Sequence, residues 1–230
     1  AAIAYDSRNH SEEFAKVAAC VLAAAGIRVA IFDGLRPTPE LSFAVRELHA
    51  VAGINITASH NPKEYNGYKA YWEDGAQIGP EQAKVVSAER QKFDVLDLSG
   101  IADFDEAVKD GRITVLGEAF DERYLSAVLA TAVDENAVRE VADDLKVVYT
   151  PLHGAGYRLV PEVFRRRGLR HLYTVDAQMT PDGNFPTVKK PNPEYAAVFT
   201  LGIGIADRVG SDLIVATDPD SDRVGVMIRG

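Results

Sequence analysis

One cysteine, Cys20, stands in 230 residues, so no disulfide can close within the chain and thiol redox chemistry is not indicated. No run of about eighteen apolar residues is present to cross a bilayer, and no basic, apolar, then small-residue leader opens the chain. Those absences predict no membrane partner and a cytoplasmic location. Cations are the scarcer charge: 25 Lys and Arg against 34 Asp and Glu leave a formal net charge of −9. A nucleic-acid partner is therefore not expected, and an anionic ligand has to be met by a few local cations or backbone N–H groups. Also missing is a Gly-x-Ser-x-Gly elbow, so a serine acyl-hydrolase triad has little support despite 5 histidines. The chain enters a strand at once after Ala1 and stops at Gly230 just after another, and it reads as a piece of a longer protein.

Hydrophobic residues, 47% of the whole, are arranged as alternating strands and helices. Ala2 to Tyr5 reads as a strand. Ser11 then opens a helix in which Phe14, Val17, Ala18, Val21 and Leu22 share one apolar face, with Cys20 as a small buried member and Gly26 as the stop. Arg28 to Phe32 is a second strand. Thr38-Pro39-Glu40 reads as an N-cap with proline at the first helical position, ahead of a buried face of Leu41, Val45 and Leu48. Gly53 to Thr57 is the next strand. This rhythm predicts an α/β fold with mixed, mostly parallel sheets layered with helices. After Trp72 come a turn at Asp74-Gly75, a helix over 80–92, a charged loop or sheet edge over 93–118, and helices over 121–131 and 135–141. A second alternating unit starts with the strand Lys146 to Tyr149 and ends with the buried strand Leu213 to Thr217. The expected division is two consecutive α/β domains, 1–135 and 136–230, the second incomplete.

Two loops at the carboxyl ends of strands carry chemistry. In Thr57-Ala58-Ser59-His60-Asn61-Pro62 a tight turn exposes Ser59, with His60 and Asn61 able to orient oxyanions around it. The Asn66-Gly67 turn can fold Lys69 back toward it, and an ammonium beside a phosphoryl group stabilises charge and exchanges a proton. Taken alone, this loop is also readable as a hydrophilic connection. In Asp218-Pro219-Asp220-Ser221-Asp222-Arg223 carboxylates stand at i, i+2 and i+4. Three hard oxygen ligands with open positions suit Mg²⁺, which often completes its octahedron with a substrate phosphate. An EF-hand fails, because its sixth position is Arg223 and its twelfth is Arg229. Together the loops supply a hydroxyl, a metal cluster, a lysine and an arginine, the parts of a phosphoryl-transfer site.

These residues resemble the α-D-phosphohexomutases, the family of phosphoglucomutases, phosphomannomutases and phosphopentomutases. The serine loop resembles that family's phosphoserine loop and the aspartate loop its metal loop, in the same order. Tyr5-Asp6-Ser7-Arg8, Pro37-Thr38-Pro39, Asn66-Gly67-Tyr68-Lys69 and Pro151-Leu152-His153-Gly154-Ala155-Gly156 match as well, and Tyr71 to Ile78 looks most like the phosphoglucomutase and phosphopentomutase branch. The resemblance implies that Ser59 bears a phosphate and that Asp218, Asp220 and Asp222, with the phosphoserine oxygen, bind Mg²⁺. It also implies that Arg223 contacts the phosphoryl group, that Lys69 and His60 are acid/base candidates, and that Arg8 and Asn61 are candidates for binding phosphate, Arg8 with a structural role as its competitor. His153 is left as a turn residue. The implied reaction interconverts sugar 1- and 6-phosphates, glucose first among them, through glucose 1,6-bisphosphate or a like intermediate.

Members of that family have four domains, so the implied partners include C-terminal domains of the same protein that carry sugar recognition and the distal phosphate site. A loop with its own active-site arginine, which normally precedes the first strand, is missing too. Because binding energy at the non-reacting phosphate orients the substrate, the piece alone is expected to turn over little or nothing. Two other readings compete. A haloacid-dehalogenase-type phosphatase would use the first aspartate of the loop as nucleophile, but that class places the loop on its first strand and leaves Ser59 unexplained. A non-catalytic sugar-phosphate or metal-binding module would not need Ser59, Lys69 and three aspartates together.

Overall fold

The structure is a computed structural model that describes residues 1–94, 97 and 100–229, without the side chain of Glu135. The described residues form two sheets. The first runs β4-β3-β1-β2-β5, from β1 (Ala2–Tyr5), β2 (Val29–Phe32), β3 (Ala52–Ile56), β4 (Tyr68–Trp72) and β5 (Ile113–Leu116). β1, β2, β3 and β5 are parallel and β4 returns antiparallel to β3. The second runs β7-β6-β8-β9, from β6 (Lys146–Thr150), β7 (His171–Thr174), β8 (Leu213–Thr217) and β9 (Val224–Ile228). Here β6, β7 and β8 are parallel and β9 returns antiparallel to β8. The second sheet thus repeats the order of the first, strand for strand, without an equivalent of β5.

Both faces of the first sheet are covered, as an α/β sheet requires. On one face Ile3, Tyr5, Ile31, Ile54 and Ile56 pack with Ala15, Ala19 and Cys20 of α1 (Ser11–Ala24). On the other, Ala2, Ala4 and Phe32 pack with Leu41, Ala44 and Val45 of α2 (Thr38–Glu47). In the second sheet Val148, Ile214 and Ala216 pack with Ala206 of the helix Thr200–Val209. Among the described residues the remaining α-helices are Pro80–Arg90, Phe104–Lys109, Glu118–Ala130, Glu135–Val141, Gly156–Arg166 and Asp176–Met179, and Ala196–Phe199 is a 3₁₀ turn. Among the described residues no helix is long and apolar enough to cross a membrane.

Three sequence expectations need correction. α1 buries its small residues, while Phe14, Val17 and Val21 are about half exposed. Helix and sheet approach so closely that alanines fill most of the gap; Ala18 and Leu22 of the expected stripe still pack against the core, and its other members face out. Thr38 is the first residue of α2 and Pro37 is its N-cap, so the first helical N–H groups are met by the Pro37 carbonyl rather than by the Thr38 hydroxyl. The 93–118 stretch, part of which lies outside the described residues, holds the edge strand β5, in keeping with the sheet-edge reading, but also the helix Phe104–Lys109, which that reading did not include. Its short apolar core, Ile113 to Leu116, is masked by the charged residues around it.

Candidate active site

Each chemistry-bearing loop joins a parallel strand to the antiparallel edge strand beside it: residues 57–67 between β3 and β4, and 218–223 between β8 and β9. Both loops sit at carboxyl ends of strands, the usual ligand-binding side of such sheets. Both turn on a serine with left-handed backbone, Ser59 at φ 51 and Ser221 at φ 58. A non-glycine residue in that conformation costs of order 1–3 kcal/mol and persists only where its surroundings over-determine it.

The surroundings of Ser59 begin at Asp6. Its carboxylate accepts from the Arg8 N–H at 3.0 Å, the Ser11 hydroxyl at 3.0 Å and the Thr57 hydroxyl at 2.7 Å. The Thr57 oxygen in turn accepts the Ser59 N–H at 2.8 Å. Arg8, buried at 3% exposure, donates to the carbonyls of Pro62 and Tyr65 at 2.9 Å each and of Ser59 and Asn61 at 2.6 Å each. Those bonds occupy all four terminal N–H groups of the guanidinium, so as placed it has none to offer an anion. Gly67 lets the loop close: a Cβ there would stand 2.7 Å from the Thr57 carbonyl oxygen.

The acidic loop is fixed differently. The Ala155 N–H donates to the Pro219 carbonyl at 2.7 Å, and a Cβ on Gly154 would lie 2.3 Å from the Pro219 Cα. Only glycine permits that approach. Within the loop, Asp218 Oδ1 accepts the Arg223 N–H at 3.0 Å.

The two loops meet. The Ser59 hydroxyl donates to Asp218 Oδ2 at 2.8 Å, and His60 Nδ1 lies 3.4 Å from the same hydroxyl. Lys69, on β4, donates to Asp220 Oδ2 at 2.8 Å and stands 3.8 Å from Asp222 Oδ2. Thr38, at the start of α2, donates its N–H to the Asp220 carbonyl at 2.8 Å and its hydroxyl to Asp220 Oδ2 at 3.1 Å. The Arg223 guanidinium pairs with Glu194 at 3.3 Å. Asn61 is exposed at the loop's surface. His153 is buried between the Thr180 carbonyl and the Thr187 hydroxyl, as a turn residue should be.

Among the described residues, Asp218, Asp220 and Asp222 each present a carboxylate oxygen within 4.8 Å of the others. Three such groups repel. Burial first, then the charges of Asp220 and Asp222, push the Asp218 carboxyl up to about 8. Burial also works against ionised Asp220, but the Lys69 ammonium outweighs it and holds that carboxyl below the ordinary range. Burial would lower the Lys69 ammonium, yet Asp220 and Asp222 raise it. The His60 imidazole is held low, by burial and then by Arg223. Asp220 Oδ1 is buried with no hydrogen-bond partner. A buried acceptor left open beside two further carboxylates fits a hard cation, which prefers oxygen ligands.

Residues 1–94 match the family description "Phosphoglucomutase/phosphomannomutase, alpha/beta/alpha domain I", and residues 122–230 match its domain II. The chain belongs to the phosphoglucomutase/phosphomannomutase family. It is similar to the phosphoglucomutases of Staphylococcus saprophyticus, 41% identical over 229 residues, and of Staphylococcus aureus, 39% identical over 228 residues. In each comparison 99% of the chain is covered but 40% of the relative, so the chain spans about two fifths of the curated proteins it matches. The crystal structure of a candidate phosphomannomutase from Thermus thermophilus superposes on 99% of the chain and 48% of its own, at 28% identity and a TM-score of 0.78. The fold is therefore that of two consecutive family domains.

Sequence reasoning picked out Ser59, His60, Lys69 and the aspartates, which the fold brings together, and Arg223, whose backbone joins them. It gave no part to Asn55 and none beyond helix capping to Thr38. The available signal for Asn55 was an amide inside the apolar run Gly53 to Ile56.

Proposed function

We propose that this chain is the phosphoserine- and metal-bearing portion of a phosphohexomutase that interconverts sugar 1- and 6-phosphates, glucose phosphates first among them. Its domains divide near residue 135. One observation carries the reading: the Ser59 hydroxyl lies 2.8 Å from Asp218, a residue 159 positions away. The phosphate carrier and the acidic loop are therefore one site.

In the proposed cycle, phospho-Ser59 loses its phosphoryl group to a hydroxyl of the sugar monophosphate. The P–Oγ bond breaks, a P–O bond to the sugar forms, the sugar hydroxyl gives up its proton and Ser59 Oγ gains one. In the return step, when Ser59 Oγ attacks and loses its proton, His60, neutral and 3.4 Å from Oγ, is the group suited to accept it. Lys69, kept as an ammonium, is suited to donate one and to balance phosphoryl charge. Return of the other phosphoryl group from the bisphosphate, of which glucose 1,6-bisphosphate is the type, restores phospho-Ser59. Asp218, Asp220 and Asp222 would hold Mg²⁺ with an oxygen of the phosphoserine. When bound, the cation neutralises carboxylate charge and polarises the phosphoryl group. Arg223 and Asn61 are assigned to phosphoryl contact, and Arg8 to holding the loop.

The test is transfer of labelled phosphate from glucose 1,6-bisphosphate in the presence of Mg²⁺, followed by peptide mapping. Label on Ser59, lost in Ser59→Ala, is the expected result. Label on Asp218 that survives Ser59→Ala would replace the mutase reading by an aspartyl phosphatase. No label at all, in protein shown to start unphosphorylated, would leave a binding module. A coupled isomerisation assay should show little turnover by the 230-residue chain, since sugar recognition is assigned to further domains.

A further inference from the structure

Thr38 and Asn55 form a relay that ends on the acidic loop. Asn55 Nδ2 donates to Thr38 Oγ1 at 2.7 Å, and Thr38 Oγ1 donates to Asp220 Oδ2 at 3.1 Å. We propose that these two are positioning residues for Asp220, fixing its carboxylate so that Oδ2 is occupied and Oδ1 is presented to a divalent cation. The inference rests on residues 218–222 being the metal loop.

The direction of the hydrogens follows from what each group can do. A threonine hydroxyl has one hydrogen and two lone pairs. Ionised Asp220 can only accept, so the hydroxyl hydrogen goes to it, and Asn55 must present its NH₂ rather than its oxygen. The Thr38 N–H meanwhile holds the Asp220 carbonyl at 2.8 Å, so one residue fixes both the backbone and the side chain of Asp220. With Lys69 also on Oδ2, that oxygen has two donors and Oδ1 has none. Without the Thr38 hydroxyl, nothing in the relay favours that choice of oxygen.

A purely structural role explains these residues poorly. Pro37, not Thr38, stands at the N-cap of α2, and its carbonyl takes the Glu40 and Leu41 N–H groups, so helix initiation does not call for a hydroxyl at residue 38. Asn55 is fully buried in β3 and its Oδ1 lacks a partner, a costly arrangement that valine or isoleucine would avoid. The register places Asn55 directly opposite Lys69 on β4. The two cross-strand neighbours thus converge on Asp220, one directly and one through Thr38.

The experiment is Mn²⁺ titration of the chain, following the free and bound ion by electron paramagnetic resonance. Loss of an outer-shell partner typically weakens metal binding 10–100-fold, so Thr38→Val should raise the Mn²⁺ Kd by about that factor and change the bound-ion line shape. Thr38→Ser should restore both, and Asn55→Ala should show a smaller shift in the same direction. Thr38→Val with the parent Kd and line shape, whatever its melting temperature, overturns the inference. Should Thr38→Val fail to fold, Asn55→Ala decides, and an unchanged Kd and spectrum there overturns it equally. The metal reading itself falls separately, if the parent chain binds no Mn²⁺ or if Asp220→Asn binds it unchanged.

Discussion

In the first sheet the loop after β3 hangs from a buried guanidinium, whereas in the second the loop after β8 is wedged against bare backbone. Arg8 gathers four carbonyls of the serine loop, while Gly154 lets Pro219 approach with no side chain between them. The topology and the serine turn are shared, so the difference reflects what each loop carries. A neutral serine hydroxyl on a strained turn needs its backbone held still, and a buried cation that spends every terminal donor on carbonyls does so without leaving a free charge beside it. A loop with three carboxylates already has charge in excess, and its cation, Lys69, comes from the other sheet. Neutral packing holds the loop while its charge is balanced from outside.

Breaking the guanidinium side should have the largest effect. Arg8→Met strips donors from four buried carbonyls and leaves Asp6 without its cation, and breaking a buried pair costs about 3–5 kcal/mol. Urea denaturation should show that loss, and Arg8→Lys should recover only part of it, because an ammonium cannot span four acceptors. On the packing side, Gly154→Ala forces Pro219 away, at about 1–3 kcal/mol. Its signature should be weakened Mn²⁺ binding along with the lower melting temperature.

Glu40 sharpens the comparison by showing a carboxyl with neither solution. It is fully buried on α2, both oxygens lack a hydrogen-bond partner, and Arg36 Nε is 3.9 Å away. Burial first, then Asp121, push its carboxyl up to about 8. A carboxyl whose folded value is raised binds more protons folded than unfolded, so its contribution to stability is full below the ordinary value of 4.5 and is lost as pH rises through about 8. Thermal melts from pH 5 to 9 should show that decline, and Glu40→Gln should flatten it. An unchanged profile would mean that Glu40 ionises at its ordinary pH despite burial. The smallest effect belongs to the shared serine turn: Ser221→Gly removes a left-handed penalty of about 1–2 kcal/mol but gives back roughly half of it as unfolded-chain entropy. A small rise in melting temperature is expected.

Much of this was legible in the sequence where local pattern and tertiary demand agree. The alternation of apolar strands and helices gave the α/β class, and the two loops were visible because each follows a strand directly and concentrates polar groups. α1 misled in part because periodicity marks an apolar stripe without saying how close the sheet will come, and here mostly alanines and cysteine fit, with Leu22 of the stripe at the margin. Arg8 was half legible: its neighbours in Tyr5-Asp6-Ser7-Arg8 mark a special turn, but whether a guanidinium meets carbonyls or phosphate depends on a loop some fifty residues away. Thr38 and Asn55 were the least legible, since their meaning lies in Asp220, 182 and 165 positions further on.

Those separations bear on how the protein is made. The bonds of the Arg8 clamp reach at most 57 residues along the chain, while Ser59 meets Asp218 only across 159. With synthesis running at about 5–20 residues per second, the serine loop emerges on the order of ten seconds or more before its acidic counterpart exists. During that interval Arg8, Asp6 and Thr57, the residues that hold the strained turn, are already present. The clamp draws on nothing beyond Tyr65, so its bonds have all their partners well before the acidic loop is made.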